Sequence, residues 1–281
     1  LVLGFSGFYS SDIILSDAKT AAQDKAVAVA TKMDQELGAV AKVAMSVAMA
    51  MECGQWNEKS ISALLTDVVE RNGEIFGSTI AFEPYAFNPR IKAYAPYVCR
   101  DKHGLRFVQL ASGSYDYFTK DWYSIPRATK VASWSAPYFD EGGGNVLMTT
   151  FSCPFFYVDP NGGGEKLRGV VTADMSLERL TDMVNAVKIA KTGYAFLISE
   201  NGTFLAHPHR PLIMRESVFS LSEDRGDPAI RELGRRMLSE TVGYVEGKSN
   251  FTGKDSLLAF ARLPHTGWSL GVVFPKSELF A

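Results

Sequence analysis

Between about Ser16 and Cys53 the chain has no proline and one glycine, Gly38, and its apolar residues return at alternating steps of three and four. Ala22, Ala26, Val29, Met33, Leu37, Val40, Ala44, Val47 and Met51 thereby fall on one stripe of an α-helix, among good helix formers. Some 35 residues rising 1.5 Å each give a helix roughly 50 Å long, more than the width of one small domain. Such a stripe needs cover along two stacked domains or from a second copy of the helix. A spine that also forms a homodimer is the expectation.

After Gly54 a short helix is predicted over Ser60 to Asn72, and then the period shifts toward alternation. Strands are predicted at Ser78–Phe82, Lys92–Val98, Leu105–Leu110, Ser133–Pro137, Val146–Val158 and Leu167–Asp174. Asp101-Lys102-His103-Gly104 reads as a hairpin turn, and Asn161-Gly162-Gly163-Gly164 as a turn rather than a phosphate cradle, since no helix follows it. Leu177 to Ala190 has a helical rhythm, and a second strand series then begins with Tyr194–Ser199 and Thr203–His207. A helix around Asp227–Ser239 and strands Gly243–Ser249, Ser256–Arg262 and Trp268–Phe274 complete it. The fold class is therefore α+β: a long N-terminal helix and two tandem PAS-like modules, each an antiparallel sheet flanked by helices. The expected boundaries are 1–54 for the helix, 55–190 and 191–276 for the modules, and 277–281 for the start of a further segment.

Composition narrows the function. The 281 residues are 46% hydrophobic and 21% charged, as in an ordinary folded protein, and a net charge of -2 leaves no basic excess for nucleic acid. Cys53, Cys99 and Cys153 form no metal-ligand spacing and read as small buried hydrophobes, with one disulfide as the alternative. His103, His207, His209 and His265 read as turn or surface histidines, so neither a metal nor a cofactor is expected. No run of about 18 apolar residues marks a membrane span, yet the chain begins and stops abruptly, as a piece of something longer would.

Candidate chemistry is concentrated between Tyr115 and Asp140, where Asp121-Trp122-Tyr123 precedes Trp134-Ser135-Ala136-Pro137-Tyr138-Phe139-Asp140 and Gly142-Gly143-Gly144. Tyr115, Tyr123 and Tyr138 offer hydroxyls, Trp122 an indole N–H, Lys120 an ammonium, and Asp140 and Asp174 carboxylates. An ammonium opposite a carboxylate complements a zwitterion, so a small-molecule ligand is the expected partner. A dimerising or protein-binding spacer is one alternative. A hydrolase using Asp140 or Asp174 is another, although no nucleophile elbow, HEXXH or phosphate loop occurs. Tyr194, Phe196, Phe204 and Trp268 read as the plain core of the second module.

The order of elements, with Thr119-Lys120-Asp121-Trp122-Tyr123, Gly169 to Leu177, Lys191 to Ile198 and Thr266-Gly267-Trp268-Ser269-Leu270, resembles double Cache sensor domains, over almost the entire chain. The resemblance implies the periplasmic or extracellular part of a receptor in the inner or plasma membrane, whether chemoreceptor, histidine kinase or PP2C-type phosphatase. The first module would be membrane-distal and ligand-binding, and the second proximal and signal-transmitting. In the amino-acid-binding branch, Tyr115, Lys120 and Trp122 would face the ligand carboxylate and Tyr138 and Asp174 its ammonium. Lys120 stands where that branch carries arginine, and a lysine cannot form arginine's two-pronged grip. An amino acid, an amine or a small carboxylate is thus expected.

Overall fold

The computed structural model describes residues 3–113, 115–159 and 162–278, with side chains from residue 16 onward. Asn161 of the glycine turn and residues 279–281 of the C-terminal segment lie outside the described residues. Two compact units emerge, one from Glu36–Arg179 and one from the chain up to Gln35 together with Leu180 onward.

The long helix, α1, spans Leu3–Cys53, 51 residues, and contributes to both units. Its stripe is covered within the chain itself: Ala22, Ala26, Met33, Leu37, Val40, Ala44, Val47 and Met51 are buried and Val29 is half-buried. The described part of the stripe is therefore not an open seam for a second copy, and among the described side chains of α1 the large apolar ones that are exposed are Val27, Met45 and Met49. No helix among the described residues is long and apolar enough to cross a membrane.

In the first unit, helix α2 (Glu58–Arg71) starts at Asn57, whose side chain accepts from Ser60 N while Ser60 Oγ accepts from Asn57 N. This reciprocal cap satisfies two of the orphan donors at a helix start. An antiparallel sheet follows from β1 (Gly77–Phe82), β2 (Pro96–Asp101), β3 (Gly104–Gln109), β4 (Ser133–Trp134), β5 (Tyr138–Phe139), β6 (Leu147–Val158) and β7 (Glu165–Ser176). Its order is β3-β2-β1-β7-β6-β4, with β5 also on β6. The hairpin at Lys102-His103 falls where expected, but β2 begins at Pro96 rather than Lys92, and only two residues of Ser133–Pro137 are strand. Helix α3 (Asp121–Thr129) lies between β3 and β4, where no element is predicted from the sequence. It buries Trp122, Tyr123 and Pro126 and ends on Lys130 at φ +61°.

Helix α4 (Leu177–Asn185) leads to the second unit, where β8 (Tyr194–Ile198), β9 (Phe204–Ala206), β10 (Val242–Lys248), β11 (Asp255–Arg262) and β12 (Ser269–Pro275) form a sheet ordered β10-β11-β12-β8-β9. Helices α5 (Val218–Arg225) and α6 (Pro228–Ser239) pack on it, capped by Ser217 and Asp227, with Gly226 at φ +60° closing α5. A proline at the first position of α6 costs nothing, because its missing N–H would have had no helical partner.

Within this unit Asp34 of α1, 9% exposed, accepts from the backbone N–H of His265 at 2.9 Å and bonds its Nδ1 at 2.7 Å. Two hydrogen bonds to a nearly buried carboxylate contribute about 2 kcal/mol together. Asp34→Ala should lower the melting temperature by roughly 4 to 8 °C, and His265→Ala, which keeps the backbone donor, by less. Equal losses in a calorimetric scan would count against this account of the contact.

Candidate ligand-binding site

The site is built on one face of the first sheet. Registers Thr150↔Asp174, Ser152↔Thr172, Gly77↔Asp174 and Thr79↔Tyr97 place Thr150, Ser152, Asp174, Thr172, Thr79 and Tyr97 on that face. A run of polar side chains in the middle of a buried sheet is not needed for packing. Gly77 has a steric reason to be glycine: a Cβ there would lie 2.2 Å from the Tyr97 hydroxyl. Its absence lets the Tyr97 ring cross β1 toward Asp174.

Asp174 is 3% exposed and accepts from Thr150 Oγ1 at 2.8 Å, and Thr150 in turn bonds the Tyr138 hydroxyl at 2.8 Å. Burial, then the negative charge of Asp140, pushes the Asp174 carboxyl up to about 7, against the lowering effect of its hydrogen bonds. Burial likewise holds the Tyr97, Tyr115 and Tyr138 hydroxyls above the usual phenol range, with the aspartates adding to it.

Asp140, 5% exposed, is wrapped by the glycine run. Its Oδ2 accepts from Gly144 N at 2.6 Å, and its carbonyl accepts from Asn145 N at 2.8 Å. A Cβ at Gly143 would fall 2.2 Å from Oδ2, so glycine there lets the loop close on the carboxylate. The other oxygen, Oδ1, accepts from the Tyr115 hydroxyl at 2.7 Å, and Trp122 Nε1 reaches the same hydroxyl at 3.4 Å. Lys120 Nζ stands 4.8 Å from the centre of the Tyr115 ring, a cation–π distance, and has no carboxylate partner among the described residues.

The structure thus gives one contact set of Tyr115, Lys120, Trp122 and Asp140 and a second of Tyr138, Thr150 and Asp174, near enough for the charge of Asp140 to raise Asp174. Tyr123 meets Trp122 edge-on at 5.9 Å but makes no hydrogen bond to Asp140 or Asp174. Its hydroxyl donates to Glu83 Oε1 at 2.5 Å, and Arg127 binds the same carboxylate at 2.7 and 3.0 Å, so Tyr123 anchors α3 to the sheet. Tyr115, which the resemblance places at the ligand carboxylate, gives its proton to Asp140 here. Sequence reasoning missed Tyr97, Thr150, Ser152 and Arg106, whose Nη2 donates to the Gly143 carbonyl at 2.5 Å. Only the period-two placement of polar residues in β6 and β7 could have signalled the strand members. The Ser152 hydroxyl is buried with no hydrogen-bond partner among the described residues, whereas the Tyr97 hydroxyl faces Asp174 and helps to lower its carboxyl.

Neither Asp140 nor Asp174 has a basic side chain within ion-pair distance among the described residues, and no group of residues there has the makings of a metal site. Two close buried carboxylates without a counter-charge make the site strongly attractive to a cation.

Three other expectations change. Cys99 is buried, but Cys153 is only half-buried and Cys53 is exposed at the end of α1; all three thiols are free. His207 is 5% exposed, because β9 carries it inward rather than onto a turn. The second unit also has more than a plain core: Tyr194, Phe196 and Phe204 line a cavity of about 510 Å³.

Two antiparallel sheets in series, each with flanking helices, and a polar aromatic cluster on the first, define a tandem PAS-like sensor fold. Residues 61–182 match the family model for the methyl-accepting chemotaxis protein-like first PDC sensor domain, and residues 170–281 match that for the Cache 3/Cache 2 fusion domain. The chain is a double Cache sensor domain. It is similar to the methyl-accepting chemotaxis protein McpC of Bacillus subtilis (strain 168), at 25% identity over 166 residues, 59% of this chain and 21% of McpC. The chain spans about a fifth of the length of such curated relatives. Its fold is that of the extracellular domain of mmHK1S-Z3, described as a histidine kinase, with TM-score 0.79, 24% identity and coverage of 94% and 96% of the two chains. The ligand-binding domain of the Pseudomonas aeruginosa PAO1 amino-acid chemoreceptor PctC, solved in complex with GABA, gives TM-score 0.64 and 20% identity over 91% and 99%.

Proposed function

We propose that this chain is the extracytoplasmic sensor of a transmembrane receptor, and that its first, membrane-distal module binds a small metabolite through an ammonium group. The observation that carries the reading is the pair of buried carboxylates, Asp140 and Asp174, with no basic side chain within ion-pair distance among the described residues. Tyr97, Tyr138 and Trp122 supply π faces and hydroxyls around that charge. Lys120 supplies a point charge suited to a carboxylate at the other end of a zwitterion. Amino acids and amines fit this description, and a carboxylate without an ammonium does not. The GABA complex of PctC supports this reading, since GABA carries both groups.

The route to the membrane runs through α1. The strand that holds Thr150 also carries Phe156, whose N–H donates to Glu52 Oε1 of α1 at 2.9 Å. Just after the strand of Asp174, Arg179 pairs with Glu36 of α1 at 3.1 Å. A ligand that draws β6 and β7 together would move these two attachments and displace the helix. Pairing of α1 with a second copy would use the exposed Val27, Met45 and Met49.

Calorimetric titration with amino acids and primary amines tests the binding step. Asp140→Asn and Asp174→Asn should each weaken binding by about a hundredfold or more, the size of a lost buried charge pair. Tyr123→Phe should bind as the parent does. Undiminished binding in both aspartate variants would refute the assignment.

A further inference from the structure

The cavity of about 510 Å³ in the second unit has the volume of a small-molecule site. Its walls are mostly apolar, with the rings of Tyr194, Phe196, Phe204 and Phe251 among them. His207 meets three of these rings edge-on and a fourth tilted, at centroid distances of 5.4 to 5.9 Å. Its Nδ1 accepts from the backbone N–H of His209 at 2.8 Å, which fixes the proton of the neutral ring on Nε2. That Nε2–H makes no hydrogen bond among the described residues. Burial, then neighbouring His209, lowers the imidazole to about 4, so the ring is a neutral donor near pH 7.

The charges around the cavity are unevenly matched. Glu246 is held by Lys19 at 2.7 Å and Lys276 at 2.6 Å, and Asp227 caps α6 through Ala229 N at 2.9 Å. Lys248 has no partner among the described residues, and Arg225 has only the Asn250 carbonyl, at 2.7 Å. Both anions are engaged and both cations lack a carboxylate. The remaining Tyr194 hydroxyl and Ser249 bond each other at 3.0 Å. We propose that this cavity is a second ligand site, for a small monocarboxylate with an apolar body, the body lying among Phe196, Phe204 and Phe251 and the carboxylate toward Arg225 and Lys248. One sensor chain then reads two chemical classes, an ammonium compound in the first module and an apolar acid in the second.

The test is calorimetry of the purified chain with phenylacetate and hexanoate, and with benzyl alcohol as a body lacking the carboxylate. Both acids should bind, and the alcohol at least tenfold more weakly. Arg225→Gln with Lys248→Gln, both exposed positions, should weaken the acids at least tenfold, and Ala229→Trp at the cavity wall should block them. Asp174→Asn should leave acid binding unchanged. The proposal is overturned if neither acid binds, if benzyl alcohol binds as well as phenylacetate, or if Asp174→Asn abolishes acid binding while the double variant keeps it.

Discussion

Asp174→Asn is expected to make the ligand-free protein more stable at pH 8 while removing its response to ligand. In the folded chain the Asp174 carboxyl is raised to about 7, against 3.8 for an ordinary aspartate. The folded state therefore keeps a proton that the unfolded chain gives up at much lower pH. The stability of the neutral, buried form is fully present below pH 3.8 and is lost as pH rises through 7. Asparagine is neutral at every pH and can still accept from Thr150. At pH 8 the variant should gain on the order of 4 kcal/mol, a rise of roughly 8 to 16 °C in melting temperature. The gain should shrink toward zero near pH 4. A variant that is less stable at pH 8, or whose difference from the parent ignores pH, would show that Asp174 is not a strained charge kept for a ligand.

The second large effect is on affinity. An ammonium ligand needs Asp174 ionised, yet below about pH 7 the empty site holds it protonated. Binding must then displace that proton, so the dissociation constant should rise about tenfold for each pH unit below 7. Above 7 it should level off until the ligand's own amine loses its proton. Titrations from pH 5 to 8 that give one constant affinity would remove Asp174 from the contact with the cation. Asp174→Asn should flatten the curve at the weak end.

Much of this architecture is legible in the chain, for identifiable reasons. The α1 stripe from Ala22 to Met51 is regular over about eight turns, and a helix with that period has few other solutions. Strands β6, β7, β11 and β12 are long and central, so their apolar runs mark them within a residue or two. The short edge strands β4 and β5 are set by pairing with β6 rather than by their own composition, and the sequence around Ser133–Pro137 overstates them. Helix α3 contains Pro126 and aromatic residues that disfavour a helix intrinsically, and tertiary packing of Trp122 and Tyr123 overrides that preference. Helix α5 is eight residues long with apolar and polar residues poorly segregated, which leaves periodicity little to detect.

The site divides along the same line. Residue type and local clustering reveal Tyr115, Lys120, Trp122, Tyr138 and Asp140, which lie close in sequence. Asp174 is named from its charge and from the family resemblance, but its approach to Asp140 depends on sheet pairing across 34 positions of chain. Tyr97 depends on the missing side chain of Gly77, a three-strand relation invisible in one dimension. Tyr123 is counted with the site for its hydroxyl, which in the fold donates to Glu83, a partner 40 positions away that the sequence alone does not bring near. The cavity of the second module escaped notice because a ring that lines a cavity and a ring that fills a core look alike in sequence.

The central claim is that the first module holds a cation between Asp140 and Asp174, and counting protons on binding tests it most directly. Titration calorimetry with an amino acid or amine that binds, at pH 6 in two buffers of different ionisation enthalpy, gives the number of protons exchanged. Release of close to one proton per ligand, falling toward zero at pH 8 and absent in Asp174→Asn, is the predicted result. Proton uptake, the response of a buried carboxyl pair to an approaching anion, or no exchange at any pH, would contradict the claim.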